Sequence, residues 1–175
     1  ADPKLNNRLS LRKDQFTGVI SRIETAPIIE QVVNGRRGPH TGPAIYHGCV
    51  SRSILDRIHT RFGVVFGGRI PDVYLQFAAL FVTQSYDVIS HPFTINGTSK
   101  ASNGYAVHPS AQKTNHSAND QFSQENQCDP RQDEIPGRMP EVSLYFLSTL
   151  ATVVRDLGDP QIVIDYRNWL DYCLE

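Results

Sequence analysis

From Asn96 to about Pro140 the chain loses hydrophobic periodicity: Asn, Ser, Gly, Gln and His dominate, and apolar residues recur at neither helical nor strand spacing. Stretches beyond about 15 residues without elements are uncommon inside compact domains and are usually functional or disordered. Any fold must therefore be built from the periodic segments on either side, with residues 105–138 as an irregular loop.

The segments before this stretch read mostly as helices. Ser10 can cap a run in which Phe16, Val19, Ile20 and Ile23 follow helical spacing. Pro27 interrupts it, and Ile28, Ile29, Val32 and Val33 continue to Asn34-Gly35, so residues 1–35 are expected to be helical. Three glycines and two prolines between Gly35 and Pro43 predict a loop. Ser51 or Ser53 then starts an amphipathic helix carrying Ile54, Leu55, Ile58 and Phe62, with Gly63 past its end. Val64-Val65-Phe66 is a short strand candidate. Pro71 suits a first helical position, Asp72 follows in the positive first turn, and Val73, Phe77, Leu80 and Phe81 form the buried stripe. Tyr86 to Ser90 alternates as a strand does, with Pro92 to Ile95 as its extension.

Order returns at Pro140. A helix through Leu144, Leu147, Leu150 and Val154 ends at Gly158, and Asp159-Pro160 starts a final helix bearing Ile162, Val163, Tyr166, Trp169 and Leu170. The longest uncharged apolar run, Val142 to Val154, is 13 residues, short of the roughly 20 a bilayer span needs. The expected fold is α/β, helix-rich with a few short strands. These are too few for a full sheet, so a sheet-bearing half is expected to be supplied elsewhere. Residues 1–139 form the main domain, with a helical pair over 140–175 packed on it.

Charge narrows the function classes. Lys plus Arg total 17 against 18 for Asp plus Glu, a formal charge of −1, which leaves no electrostatic footprint for nucleic acid or an anionic membrane. Cys49, Cys128 and Cys173 are far apart and odd in number, so neither a disulfide framework nor a structural zinc is expected, and a reducing compartment is the simplest setting. The first 15 residues lack the apolar core of a signal peptide. The expected location is cytoplasmic, or peripheral at the inner membrane face.

Common catalytic signatures are missing. Neither a glycine-rich phosphate loop nor a nucleophile elbow occurs. His108 and His116 lie eight apart in loop sequence, and Asp129, Asp133 and Glu134 read as a solvated acidic loop. Two segments carry more. Asp72, in the first turn of a helix, would be held ionised by free backbone N–H groups and the helix dipole, ready to accept a proton; the same residue is equally a plain helix stabiliser. The segment from His91 to Gly104 packs Asn96, Ser99, Lys100, Ser102 and Asn103 between glycines just after an apolar strand. Such small hydroxyl and amide groups suit a polyhydroxyl ligand, or a plain turn-rich surface. His47, in Ile45-Tyr46-His47-Gly48, is a further candidate.

In order, these stretches resemble the C-terminal half of family 2 glycosyltransferases with the GT-A fold. The resemblance is carried by Ile45-Tyr-His-Gly-Cys-Val-Ser-Arg52, by Ile70-Pro-Asp-Val-Tyr74, by Pro92-Phe-Thr-Ile-Asn-Gly-Thr-Ser-Lys-Ala-Ser-Asn-Gly104, and by the region from Phe122 through Glu125 and Asn126 to Pro140. It implies part of an inverting enzyme that moves a sugar from a nucleotide-diphosphate donor to a glycan or lipid-linked acceptor in surface polysaccharide synthesis. Asp72 would be the base toward the acceptor hydroxyl, with His47, Tyr74, Asn96, Ser99, Lys100, Ser102 and Asn103 as substrate contacts and Lys100 beside the diphosphate. Mg²⁺ or Mn²⁺ is expected for the whole enzyme. The chain departs from the pattern in two ways: Ala101 stands where relatives commonly have histidine, and no nucleotide-binding half or Asp-x-Asp occurs. The isolated chain is therefore expected to transfer nothing. The alternative is a non-catalytic helical module that binds a partner through Tyr166, Trp169 and Tyr172.

Overall fold

A computed structural model gives the fold and describes residues 16–39, 42–68, 70–94 and 142–174. In chain order these form strand β1 (Ile20–Glu24), helix α1 (Thr25–Val33), a 3₁₀ turn (Ile45–His47), helices α2 (Arg52–Phe62) and α3 (Pro71–Val82), strand β2 (Ser85–Ile89), and helices α4 (Val142–Leu157) and α5 (Tyr166–Leu174). The architecture is mixed α/β. Among the described residues it holds five α-helices and one two-stranded antiparallel sheet. The Ser10 cap, the 105–138 loop and the Pro140 helix start lie outside the described residues.

The centre of the molecule is α3. Every residue from Val73 to Leu80 is buried, so this helix is enclosed on all sides rather than striped. Around it, α1, α2 and α4 contribute Ile28, Val32, Ile58, Phe62, Leu147, Leu150 and Val153 to one continuous core, which Trp169 of α5 completes.

Several helix ends follow their local chemistry. The Ser51 hydroxyl accepts from the Ile54 N–H at 3.4 Å to cap α2, and Gly63 closes it in the left-handed region at φ 75°. The carbonyl of Leu157, at the end of α4, accepts from the Arg61 guanidinium at 2.7 Å. The end of α1 is closed by α5 across the sequence. The Val32 carbonyl accepts from the Trp169 indole at 2.7 Å, that of Val33 from the Asp165 N–H at 2.8 Å, and that of Asn34 from the Asn168 amide at 3.1 Å. Carbonyls at the helix terminus thus gain tertiary donors, that of Val32 in addition to the Gly35 N–H at 3.1 Å. Gly35 makes this approach possible: its φ is 65°, and a Cβ there would stand 2.6 Å from the Trp169 backbone nitrogen.

Four expectations are corrected. Strand β2 ends at Ile89, and the described residues Pro92 to Thr94 do not extend it. Residues 20–24 are a strand, not a helix, because the register Ile20↔Ile89 through Glu24↔Ser85 pairs them with β2; a distant partner outweighs local spacing. Helix α1 begins only at Thr25, and Pro27 is tolerated there because it falls in the first turn, where its missing N–H costs no helical bond. Val64 to Phe66 forms no strand, lying between the Gly63 and Gly68 turns without a pairing strand among the described residues. The last helix starts at Tyr166 rather than at Pro160. Ile162, Val163 and Ile164 are three β-branched residues in a row, which disfavour helix. Asp165 then supplies the cap, its carboxylate accepting from the Asn168 N–H at 3.0 Å.

Candidate functional site

Asp72 and Tyr74 sit together at the start of α3 but face different surroundings. Pro71 occupies the first position of the helix, and the Tyr74 N–H closes the first turn onto the Ile70 carbonyl at 2.9 Å. Asp72 is half-buried in that first turn, where a carboxylate is favoured by the helix dipole. Tyr74 is fully buried. Its ring meets Phe62 edge-on at 6.3 Å, and its hydroxyl donates to the Asp156 carboxylate at 3.0 Å. In this arrangement the phenol joins α3 to α4.

An open cleft of about 500 Å³ lies at the other end of α3. One wall is the 42–51 segment, the opposite wall is β2, and the floor is Ala79 and Thr83. The volume falls in the range of small-molecule pockets. His47 lines it, its Nδ1 2.8 Å from the Thr94 hydroxyl. Ser51 and Ser85 add hydroxyls. Thr83 donates its own hydroxyl proton to the Ala79 carbonyl at 2.8 Å, which leaves the oxygen free to accept. Cys49 contributes an exposed free thiol.

The carboxylate lining the cleft is paired. Asp87, at the edge, is bonded to the Arg22 guanidinium at 3.0 and 3.3 Å. That hydrogen bond holds its carboxyl below the usual range. Burial pushes the Tyr86 phenol up, with Arg37 pulling the other way, so Tyr86 stays neutral at physiological pH. A half-apolar, half-polar cleft bordered by hydroxyls, an imidazole and one neutralised carboxylate suits an uncharged, hydroxyl-rich ligand better than a phosphate or a bare cation.

Of the residues singled out in the sequence, the structure brings His47 into the cleft and sets Asp72 and Tyr74 at the far end of the helix that floors it. Asn96, Ser99, Lys100, Ser102 and Asn103 lie outside the described residues, as do His108, His116, Cys128 and the acidic 129–134 stretch. Sequence reasoning missed Asp87, Thr83 and Gln76. The first two become visible only once β2 is placed. Gln76 did carry a signal: it is the lone amide in the otherwise apolar run Val73 to Val82.

Asp72, Gln76, Ala79 and Thr83 follow spacings of four, three and four. They therefore share one face of α3. At 1.5 Å per residue, Ala79 and Thr83 stand about 10 and about 16 Å along the axis from Asp72.

Among the described residues no group of three or more His, Cys, Asp or Glu side chains could hold a metal ion, and no helix is long and apolar enough to cross a membrane. The chain matches no protein-family model, no curated protein and no solved structure. Its functional reading therefore stands on the residues and their geometry.

Proposed function

We propose that this chain is the acceptor-side part of an inverting glycosyltransferase acting on a glycan or lipid-linked acceptor. The observation that supports the reading best is the setting of Asp72: a partly accessible carboxylate at the start of the most deeply buried helix, sharing a face with a cleft suited to hydroxyl-rich ligands.

The chemistry assigned to Asp72 is general-base catalysis. One carboxylate oxygen takes the proton of the acceptor hydroxyl as that oxygen bonds to the anomeric carbon of the donor sugar. The bond from that carbon to the diphosphate oxygen breaks, and the electron pair leaves with the nucleoside diphosphate on the opposite face. Base assistance of this kind contributes about 10²–10⁴-fold in rate. In this reading Lys100 balances charge on the leaving diphosphate. The donor, with the Mg²⁺ or Mn²⁺ expected for the whole enzyme, is held by a separate nucleotide-binding half. The described residues offer that metal no ligand cluster.

The test is Asp72→Asn, which keeps size and capping ability but cannot accept the proton. Joined to the donor-binding half, the variant is expected to keep affinity for the nucleotide sugar and lose about 10²–10⁴-fold in turnover. Unchanged turnover would reduce Asp72 to a helix-start residue.

A second reading, a non-catalytic assembly module, is favoured by α5. Tyr166, Leu170 and Leu174 recur every fourth residue and are all exposed. Trp169, by contrast, is fully buried and packs edge-on against Tyr172 at 5.3 Å, so any docking would use the Tyr166 stripe. Under this reading Leu170→Glu abolishes concentration-dependent association in sedimentation, and Asp72→Asn changes nothing.

A further inference from the structure

The amide of Gln76 is a buried donor without a mate. Gln76 is 6% exposed in the middle of α3, and its Nε2 has no hydrogen-bond partner among the described residues. Leaving a buried donor unsatisfied is costly, and native structures hold few such groups, which makes each one a pointer to something that completes it. The location supplies the rest of the argument. Gly42 lies directly over this amide: a Cβ at that position would stand 3.0 Å from Nε2 and 3.1 Å from Cγ. Gly42 is also a wall of the cleft. The orphan donor thus sits one helical turn from Ala79, just behind the cleft's rim, and a residue without a side chain is what separates the two.

We propose that the face of α3 from Asp72 to Thr83 is a single groove for a saccharide chain, and that Gln76 is a ligand-contacting residue within it. At one end Asp72 is half-buried; at the other the cleft opens onto Ala79 and Thr83. Between them Gly42, followed by Pro43, covers Gln76, which does not itself line the cleft. An oligosaccharide entering at the cleft displaces this Gly-Pro segment outward and takes the Gln76 N–H donors onto a ring or hydroxyl oxygen, while Thr83, Ser85 and Ser51 meet its other hydroxyls. The ligand is assigned as neutral because Asp87, the carboxylate at the cleft, is neutralised by Arg22. That it is a saccharide rests on the sugar-transfer reading; the groove and its unmatched amide do not.

The experiment uses the full 175-residue chain, labelled and applied to an array of neutral oligosaccharides of glucose, galactose, mannose, rhamnose and N-acetylhexosamines. Wild type is expected to be retained by at least one class, and the side-chain amide resonance of Gln76 to shift when that oligosaccharide is added. Gln76→Leu keeps the volume and removes the orphan donor. It is expected to raise Tm by a few degrees while weakening binding about tenfold, the loss of one hydrogen bond. The Gln76 amide shift on adding the oligosaccharide, taken with this opposed pair of effects, separates a ligand contact from a purely structural amide. Retention by no member of the array, or unchanged binding by the Leu variant, overturns the proposal. Asp72→Asn, joined to the donor-binding half, is the separate test of catalysis and is read as turnover beside oligosaccharide binding. Lost turnover with the binding retained supports both readings, whereas unchanged turnover with the Gln76 effect intact removes the catalytic reading and leaves the groove standing.

Discussion

The indole N–H of Trp169 donates to the carbonyl of Val32 at 2.7 Å, joining positions 137 residues apart. Both residues are buried, Trp169 completely. The bond fastens α5 to the end of α1, next to the Asp165 and Asn168 contacts that satisfy the following two carbonyls. Trp169→Phe retains an aromatic ring but removes the donor. The Val32 carbonyl keeps the Gly35 N–H at 3.1 Å, so the loss is one bond rather than an orphaned acceptor. Urea denaturation is expected to show a destabilisation of about 1–3 kcal/mol, including the smaller ring's imperfect filling of the site.

Tyr74 offers a cleaner separation of structure from ligand contact. Its hydroxyl reaches Asp156, and its ring is enclosed by the core. Tyr74→Phe is expected to cost about 1.5–3 kcal/mol, the range for hydrogen bonds to charged groups, and, under the proposed saccharide-binding reading, to leave that affinity unchanged. A variant with wild-type stability and reduced affinity would place the phenol in the ligand site after all.

The ribbon of β1 and β2 should respond to acid through Asp87. Its carboxyl is lowered in the folded state by the Arg22 hydrogen bond, and in the unfolded chain it returns to the ordinary value near 3.9. The folded state therefore binds fewer protons across this window. The contribution is complete above about pH 4 and is lost as pH falls through the lowered folded value. Because the pair is solvent-exposed the effect is small, so the sensitive readout is the Asp87 carboxyl resonance followed by NMR. Its midpoint should lie below the usual aspartate range in wild type and rise in Arg22→Lys, which cannot reproduce the two-pronged contact.

The legible parts of the fold were those written in short-range chemistry. Ser51 and Gly63 bound α2, Pro71 opens α3, and Gly158 ends α4, because caps and turns depend on a residue and its near neighbours. What could not be read locally was decided by distant partners. Ile20 and Ile23 have helical spacing, yet β2 makes them strand. Pro160 resembles a helix start, yet the helix waits for Asp165, whose backbone N–H is engaged by the Val33 carbonyl. The site shows the same division. Asp72 and His47 were visible as motif residues, but the cleft arises from three segments whose juxtaposition no spacing rule contains. Gln76 was visible as an oddity, and only Gly42 lying above it gave that oddity a direction.

Because α3 is held by the core from Val73 to Leu80, it acts as a ruler between its two ends. Adding or deleting one residue within it would swing Asp72 through about 100° relative to Thr83, breaking their alignment outright. No loop could correct the error. Under the sugar-transfer reading, length changes between Pro71 and Val82 break the site, whereas in the turns that precede and follow an extra residue costs a fraction of a kcal/mol in closure entropy, about 0.6 kcal/mol per doubling of loop length.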